Sequence, residues 1–306
     1  MSDPSPPQTH STPHARSFAD LVRMKAHGEK VVMVTAYDAP SARLADRAGV
    51  DCILVGDSAA MTMLGHDSTV SITMDEMVMF TRAVVRGAER PLIIADMPYG
   101  SLQSSTTVAV ANAVRFAREG GAHAVKLEGA GPSLERIEAI VRAGIPVMGH
   151  IGLLPQSASL HGGYKPQGRT ADHAHRLCEE ASALEAAGCF AVVLEAIPAP
   201  VSARITDMVR IPTIGIGAGA SCDGQVLVWH DLLGLSTGHV PRLVRRYADA
   251  GTLIVDALKA YSADVRAGTF PLERHSYEML AGERERFESD LDAMPGRARP
   301  LSLPDS

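Results

Sequence analysis

The stretch Ile53-Leu54-Val55-Gly56-Asp57-Ser58 is a short apolar run that ends on polar groups. Parallel strands are buried on both faces and read as continuous hydrophobic runs, so a charged side chain is tolerated only where a strand emerges into a wet opening. Four later runs share the pattern: Ile93-Ile94-Ala95-Asp96, Ala124-Val125-Lys126-Leu127-Glu128, Val147-Met148-Gly149-His150 and Val192-Val193-Leu194-Glu195. We therefore expect these acids, the lysine and the histidine to converge on one pocket.

Short apolar runs alternate with longer segments of helical period along most of the chain. The predicted strands are 31–35, 52–55, 92–95, 123–127, 146–149, 190–194, 212–216 and 226–229. The predicted connecting helices are 39–48, 74–88, 105–120, 133–144, 171–187 and 199–209. An early helix over 17–27 is expected to close the bottom of a barrel, and 243–267 supplies a late helix.

This alternation predicts an α/β protein with a parallel sheet and right-handed crossovers. Eight strands favour a single (β/α)8 TIM barrel over an open doubly wound sheet, although periodicity alone does not exclude the open form. The polar strand ends favour the barrel, because at least five strands contribute them, whereas an open sheet gathers its site at a switch point between two strands. Residues 217–225 leave little room for a helix before the last strand.

The barrel is predicted to occupy residues 17–280 as one catalytic domain. Residues 1–16 are proline-rich and nearly devoid of apolar side chains, so they are expected to form a disordered tail. Residues 281–306 are charged and then proline-rich, which predicts a mostly disordered tail with one helical turn around 284–291.

Composition narrows the function classes. The formal net charge is −6 and the positive charges are dispersed, so nucleic acid is not an expected partner. No stretch approaches the roughly 20 apolar residues of a membrane span, and no secretory leader is recognisable. Cysteines occur at 52, 178, 189 and 222, without the close pairs of a zinc site, which favours reduced thiols in a cytoplasmic protein.

Asp57, Asp96 and Glu128 follow three neighbouring predicted strands. Carboxylates that lie close together repel one another unless a cation joins them. An oxygen-only ligand set suits a hard cation such as Mg²⁺, which keeps waters or substrate oxygens in its remaining positions. From the residues alone, the alternative stays open that these acids cap the following helices or pair with arginines.

Lys126 and Glu195 supply the other chemistry. Lys126 and Glu128 are two residues apart on a strand and share its inner face, so the lysine is either a counter-charge for an anionic substrate or part of a structural ion pair. Glu195 follows the sixth strand, away from the metal group, where a carboxylate keeps its basicity and can act as a general base. Taken alone, it is equally consistent with a helix cap. The long polar loop that follows His150 is expected to cover the mouth.

Together these stretches resemble the 3-methyl-2-oxobutanoate hydroxymethyltransferase family over about residues 20–275. The resemblance depends on motifs in a fixed order: Thr35-Ala-Tyr-Asp, Val55-Gly-Asp57-Ser58, Ala95-Asp96-Met-Pro-Tyr, Val125-Lys126-Leu-Glu128-Gly, Gly149-His150-Ile-Gly-Leu, Gly162-Gly163-Tyr-Lys, Glu195, Gly215-Ile-Gly-Ala-Gly, Asp223-Gly-Gln-Val-Leu-Val and His230-Asp. One departure is visible, since Leu154 stands where the family usually has threonine. It leaves the metal set intact.

The resemblance implies a phosphoenolpyruvate/pyruvate-type barrel. Such an enzyme transfers a one-carbon unit from 5,10-methylenetetrahydrofolate, its co-substrate, to 3-methyl-2-oxobutanoate and yields 2-dehydropantoate for pantothenate synthesis. It also implies Mg²⁺ and a large homo-oligomer, commonly a decamer. By carry-over, Asp57 and Asp96 hold the metal and the ketoacid, and Glu128 completes the metal shell. Glu195 removes the C3 proton, Ser58 and Lys126 hold the ketoacid, and His150 contacts the substrate at the rim.

Two other functions are compatible with part of this pattern. An isocitrate-lyase-like enzyme of the same superfamily also binds an enolate on Mg²⁺, but its typical Lys-Lys-Cys-Gly-His loop is absent from this sequence. A non-catalytic ketoacid- or folate-binding protein on a barrel scaffold would tolerate loss of the base, yet Glu195 and the three candidate ligands are all present. The sequence thus favours the transferase.

Overall fold

The computed structural model describes residues 15–161, 163, 165–236 and 241–293. The chain divides into two compact units, Met1–Gly251 and Thr252–Ser306. Most of the two predicted tails, 1–14 and 294–306, lies outside the described residues. The assignment of 17–280 to one domain stays a prediction.

Eight parallel strands of the first unit close into a barrel in chain order, and the last strand pairs back to the first. The strands are β1 (Val31–Thr35), β2 (Cys52–Val55), β3 (Leu92–Asp96), β4 (Ala124–Lys126), β5 (Val147–Gly152), β6 (Ala191–Glu195), β7 (Thr213–Ile216) and β8 (Gly224–Leu227). The predicted TIM barrel is confirmed.

Helices precede the barrel and connect most of its strands. In the first unit they are α1 (Phe18–His27), α2 (Ala39–Ala48), α3 (Ala59–Thr62), α4 (Met74–Val85), α5 (Thr106–Arg115), α6 (Leu134–Arg142), α7 (Ala171–Ala186), α8 (Ala199–Met208) and α9 (Trp229–Leu233). Short 3₁₀ segments occupy Thr69–Ser71, Gly131–Ser133 and Pro155–His161, and a π-turn (Phe116–Gly120) extends α5. Residues 217–223 contain no helix, in agreement with the short link predicted there.

The helices begin where the sequence provides side-chain acceptors for unpaired backbone N–H groups. Thr73 and Glu76 form a reciprocal capping box at the start of α4. The Asp38 carboxylate accepts from the Ser41 backbone N–H at the start of α2, and Gly49 ends that helix with φ +80°. Local capping therefore sets the predicted boundaries of α2, 39–48, which the structure reproduces.

The two-residue alternation of the strands separates two apolar layers. Leu54, Ile94 and Met148 belong to a cluster inside the barrel, whereas Ile53 and Ile93 belong to the layer between the strands and the outer helices. Each fully buried side chain of this size contributes roughly 1.5–3 kcal/mol. Two residues further towards the carboxyl end, Asp96 follows Ile94 and His150 follows Met148. These polar side chains therefore lie directly above the apolar interior.

Helix α1 closes the amino-terminal end of the barrel, as predicted. Leu21 and Met24 are buried in the same cluster as the strand residues Val31 and Leu92. The helix is fixed by a capping box between Ser17 and Asp20. The opposite end of the barrel is therefore the one that stays open to ligands.

The last strand begins earlier than the predicted 226–229. Gly224 pairs with Val31, and a Cβ at Gly224 would lie 2.5 Å from the Val31 carbonyl oxygen, so only glycine allows this close approach. Apolar periodicity does not detect a strand that opens with glycine and glutamine. Trp229 leaves the sheet, and its N–H donates to Thr35 Oγ1 at 2.9 Å.

The second unit contains most of α10 (Ala250–Ala267) and all of α11 (Glu283–Asp292). Helix α11 is longer than the single helical turn predicted around 284–291. No residue of either helix is buried. Large apolar side chains of α10 are exposed, among them Leu253 (72%) and Leu258 (61%). None of the described residues 252–293 of this unit is buried, so this part of the unit shows no hydrophobic core of its own.

A membrane-spanning helix is not found among the described residues, since none is both long and apolar enough.

Gly152 allows β5 and β6 to approach closely beside Glu195. It has φ +100°, and an added Cβ would lie 2.2 Å from the Glu195 carbonyl oxygen. Gly152→Ala should therefore lower the free energy of unfolding by about 2–5 kcal/mol, because a left-handed backbone penalty adds to a steric clash. Urea denaturation followed by circular dichroism measures this loss.

Gly144→Ala is the matched control. Gly144 has φ +87° and no atom within 4 Å of an added Cβ. Only the backbone penalty of about 1–2 kcal/mol applies there. Equal losses for the two variants would contradict the predicted clash at Gly152.

Candidate active site

A cavity of about 110 Å³ lies at the carboxyl ends of the strands. All seven residues singled out from the sequence line it: Asp57, Ser58, Asp96, Lys126, Glu128, His150 and Glu195. Its remaining lining is mostly apolar and includes Leu54, Val193, Ile216, Val226 and Val228. The cavity therefore has one strongly polar wall and one apolar wall.

The polar wall is centred on a buried ion pair. Lys126 Nζ lies 2.7 Å from Asp96 Oδ1, with only 5% and 3% of the two side chains exposed. The Asp57 backbone N–H donates to Asp96 Oδ2 at 3.2 Å, which fixes the ends of β2 and β3 relative to each other. The predicted convergence of Asp57, Asp96 and Lys126 is thus present in the structure.

Charge at this wall is unbalanced. Burial raises the pKa of Asp57 well above its usual value, and the charges of Asp96 and Glu128 raise it further. Burial also raises the pKa of Asp96, although Lys126 opposes the shift. Burial alone would lower the pKa of Lys126, but the surrounding carboxylates of Asp96, Glu128 and Asp57 raise it above the usual value. Three carboxylates facing one ammonium leave an excess of negative charge.

His150 connects the polar wall to Glu195. Its ring is buried, with Nδ1 3.3 Å from Lys126 Nζ and 3.6 Å from Glu128 Oε1. On the other side, Nε2 lies 3.2 Å from Glu195 Oε2. Burial and Lys126 both lower the pKa of His150, but contacts with Glu128 and Glu195 outweigh them and raise it. Glu195, predicted to lie apart from the metal group, is therefore linked to Glu128 through one imidazole.

Two residues at the site were not identified from the sequence. Tyr37, fully buried, places its hydroxyl 2.8 Å from Ser58 Oγ, and burial raises the pKa of its phenol. Gln156 donates from Nε2 to Asp57 Oδ2 at 2.8 Å. Tyr37 lies in the motif Thr35-Ala-Tyr-Asp, and Gln156 lies in the loop segment Leu154-Pro-Gln. Neither a tyrosine nor a glutamine indicates a functional role by its residue type alone.

The polar wall has the donor chemistry of a hard-cation site. Asp96 Oδ1 is buried without a hydrogen bond of good geometry, despite its proximity to Lys126 Nζ, so it keeps lone pairs for a cation. Among the described residues, no three His, Cys, Asp or Glu side chains are arranged to hold a metal by themselves. A Mg²⁺ ion at Asp57 and Asp96 would therefore take further ligands from water or substrate, as Mg²⁺ usually does.

Removal of Lys126 should make stability depend strongly on pH. Lys126 lowers the pKa of Asp57 and Asp96, so in Lys126→Met their folded-state pKa values rise further above those of the unfolded chain. Carboxyls of this kind stabilise the fold below the unfolded pKa, and that stability is lost as pH rises through the folded pKa. We expect a small loss at pH 5 and a loss of about 3–5 kcal/mol at pH 8 in urea denaturation.

Lys30→Met is the control for this experiment. Lys30 Nζ donates to the Cys222 carbonyl oxygen at 2.6 Å rather than to a carboxylate. Its replacement should change stability equally at the two pH values. A loss for Lys126→Met that is the same at both would contradict the electrostatic assignment.

Known proteins resemble this chain over most of its length. A family model described as ketopantoate hydroxymethyltransferase matches residues 16–273. A protein of Carboxydothermus hydrogenoformans named 3-methyl-2-oxobutanoate hydroxymethyltransferase is 52% identical over 271 residues, 89% of this chain and 98% of that protein. One of the same name from Trichlorobacter lovleyi is 53% identical over 85% of this chain and 98% of its own length.

Solved structures with low sequence identity share the fold. A phosphonopyruvate hydrolase has a TM-score of 0.54 at 13% identity, with 91% of this chain and 96% of that one covered. A 2,3-dimethylmalate lyase of the PEP mutase/isocitrate lyase superfamily has a TM-score of 0.53 at 20% identity, with 92% and 100% covered. With half of its residues identical to those relatives over nearly their full length, the chain belongs to the ketopantoate hydroxymethyltransferase family of enzymes.

Proposed function

We propose that the protein transfers a hydroxymethyl group from 5,10-methylenetetrahydrofolate to 3-methyl-2-oxobutanoate and yields 2-dehydropantoate for pantothenate synthesis. The observation that carries this proposal is the placement of Glu195 across one small cavity from Asp57, Asp96 and Lys126. A base on one side and a cation-binding wall on the other are what enolisation of a 2-oxo acid requires. The names of the half-identical relatives support the same substrate.

The two walls of the cavity fit the two ends of the ketoacid. Lys126 and Ser58 bind its carboxylate and 2-oxo oxygens beside Asp57 and Asp96, while His150 completes the polar contact surface. The branched C3 end faces the apolar wall formed by Leu54, Val193, Ile216, Val226 and Val228. A branched aliphatic ketoacid therefore suits the cavity better than a dicarboxylate does.

Asp57 and Asp96 would hold Mg²⁺, and Glu128 would complete its shell directly or through water. When bound, the ion supplies a Lewis acid for the negative charge that develops on the 2-oxo oxygen. Lys126 adds a fixed positive charge at the same end of the substrate. Because these groups are buried and already oriented, they need little rearrangement as the charge develops.

Glu195 acts as the base. Its Oε2 is 3.2 Å from His150 Nε2, so Oε1 is the oxygen available to the substrate. Glu195 takes the proton from C3, and the electron pair of that C–H bond forms the enolate. Water adds to the iminium carbon of the opened folate, and the C–N bond to tetrahydrofolate breaks, which releases the one-carbon unit as formaldehyde. The enolate carbon attacks that carbon, and the aldehyde oxygen takes up a proton, the one held by Glu195, to become the hydroxyl of the new hydroxymethyl group.

We also propose a homo-oligomer, commonly a decamer in the family, located in the cytoplasm. The exposed apolar side chains of α10 support assembly, since a helix of this composition is normally covered. The four cysteines are free, and three of them are buried, which suits a reducing compartment.

Enolisation is the first step to test. Proton NMR of 3-methyl-2-oxobutanoate in D₂O should show loss of the C3 proton signal with the protein and Mg²⁺, and no loss with EDTA. Product formation then requires the folate donor. Absence of exchange under every condition would favour a lyase or a binding protein.

Glu195→Gln should reduce the C3 exchange rate by at least about 100-fold, the contribution typical of a positioned base. Ketoacid and Mg²⁺ binding, measured by calorimetry, should stay nearly intact. The control is Glu179→Gln, an exposed position on α7. Exchange at the wild-type rate in Glu195→Gln would remove Glu195 as the base.

Asp96→Ala, unlike Glu195→Gln, should weaken the binding of Mg²⁺ and ketoacid. It removes an oxygen donor and the partner of Lys126, so metal-dependent ketoacid binding should weaken at least tenfold in calorimetry. Asp75→Ala serves as the control, because the Asp75 side chain is 84% exposed and pairs with Arg115 on the surface. Undiminished metal-dependent binding in Asp96→Ala would refute the metal assignment.

A further inference from the structure

Gln156 lies behind the polar wall, in the 3₁₀ segment Pro155–His161 that follows β5. It is 6% exposed. Its side-chain Nε2 donates to Asp57 Oδ2 at 2.8 Å and to the Met97 carbonyl oxygen at 3.0 Å. Its backbone N–H donates to Glu128 Oε2 at 3.1 Å. One residue thus joins the rims of β2, β3 and β4.

The direction of this amide is fixed by its partners. Both hydrogens of the NH₂ group are used, one on the Asp57 carboxylate and one on the Met97 carbonyl. A reversed amide would place its oxygen against two acceptors, which is repulsive. Gln156 is therefore a donor at this position, and an apolar side chain of similar length would leave Asp57 Oδ2 without this partner.

Gln156 engages only one oxygen of each acid. Asp57 Oδ2 and Glu128 Oε2 accept from Gln156, so Asp57 Oδ1 and Glu128 Oε1 are the oxygens not engaged by it. Hydrogen bonds that already hold a carboxylate in one rotamer reduce the side-chain conformational entropy that it loses when it binds a cation. Gln156 thus acts on both acids from outside the cavity.

We propose that Gln156 is the positioning residue of the cation site, and that it orients Asp57 through its amide and Glu128 through its backbone N–H. The inference rests on the proposed function, because it takes these two acids as cation ligands. Gln156 does not line the cavity and touches no reacting atom. A purely structural amide would stabilise the loop without affecting cation affinity.

Gln156→Met separates these roles. The variant keeps the length of the side chain and the backbone N–H to Glu128, but removes both amide donors. Mn²⁺ is the probe, and free Mn²⁺ is measured by electron paramagnetic resonance with and without 3-methyl-2-oxobutanoate. Mn²⁺ affinity should fall roughly 10- to 100-fold, the usual effect of a lost outer partner of a metal ligand.

Gln225→Met is the matched control. Gln225 lies on β8 in an exposed position, and its Nε2 donates to the Gly219 carbonyl oxygen at 2.9 Å rather than to a candidate cation ligand. The same chemical change there should leave Mn²⁺ affinity unaltered. Gln156→Asn, which keeps the amide but withdraws it from Asp57, should weaken binding in the same direction and carries the test if Gln156→Met does not fold.

The possible outcomes distinguish a failure of the positioning role from a failure of the proposed function. If wild type binds Mn²⁺ and the Gln156 variants bind it equally well, the positioning role is overturned while the transferase proposal stands. A lower melting temperature with unchanged affinity overturns it as well. If wild type binds no Mn²⁺ even with the ketoacid, the cation site itself fails, and the inference fails with it.

Discussion

The buried ammonium of Lys126 is the interaction on which the polar wall depends. It lies within 2.7 Å of Asp96 and is surrounded by the charges of Glu128 and Asp57. An unpaired ammonium at this depth would lose more hydration free energy than its other contacts in the fold could offset, and the same holds for an unpaired carboxylate. Each charge is tolerated because the others are present. The acids remain in excess, and this excess makes a cation the natural complement of the site.

The barrel provides the frame for that cluster. Inward-facing positions follow one another along each strand with a period of two, so an apolar layer containing Ile94 and Met148 lies directly below Asp96 and His150. The apolar layer excludes water from below and lowers the local dielectric, which strengthens the interactions above it. Packing and electrostatics are therefore coupled: a change in the interior layer acts on the charges that lie on it.

The strands, most helices and the seven candidate residues could be predicted because each left a local signal in the sequence. The apolar run before Asp96 and the cap before α2 are examples, since their physical causes lie within a few residues. Gln156 and Tyr37 escaped prediction because their partners, Asp57 and Ser58, are distant along the chain, and only the closed barrel brings them together. The start of β8 was missed for a related reason: Gly224 is required by the backbone of Val31 beside it, which no window around residue 224 contains.

The pairing of β1 with β8 also constrains how the molecule is made. Val31 and Gly224 are partners although about 190 residues separate them. At roughly 5–20 residues per second, a ribosome needs on the order of 10–40 s to supply the second partner after the first. Throughout that interval the nascent chain presents β1 as an unpaired edge, a template for pairing with other chains. Synthesis in the cell is thus the period in which this protein is most exposed to aggregation, and chaperone dependence should be greatest before residue 227 has emerged.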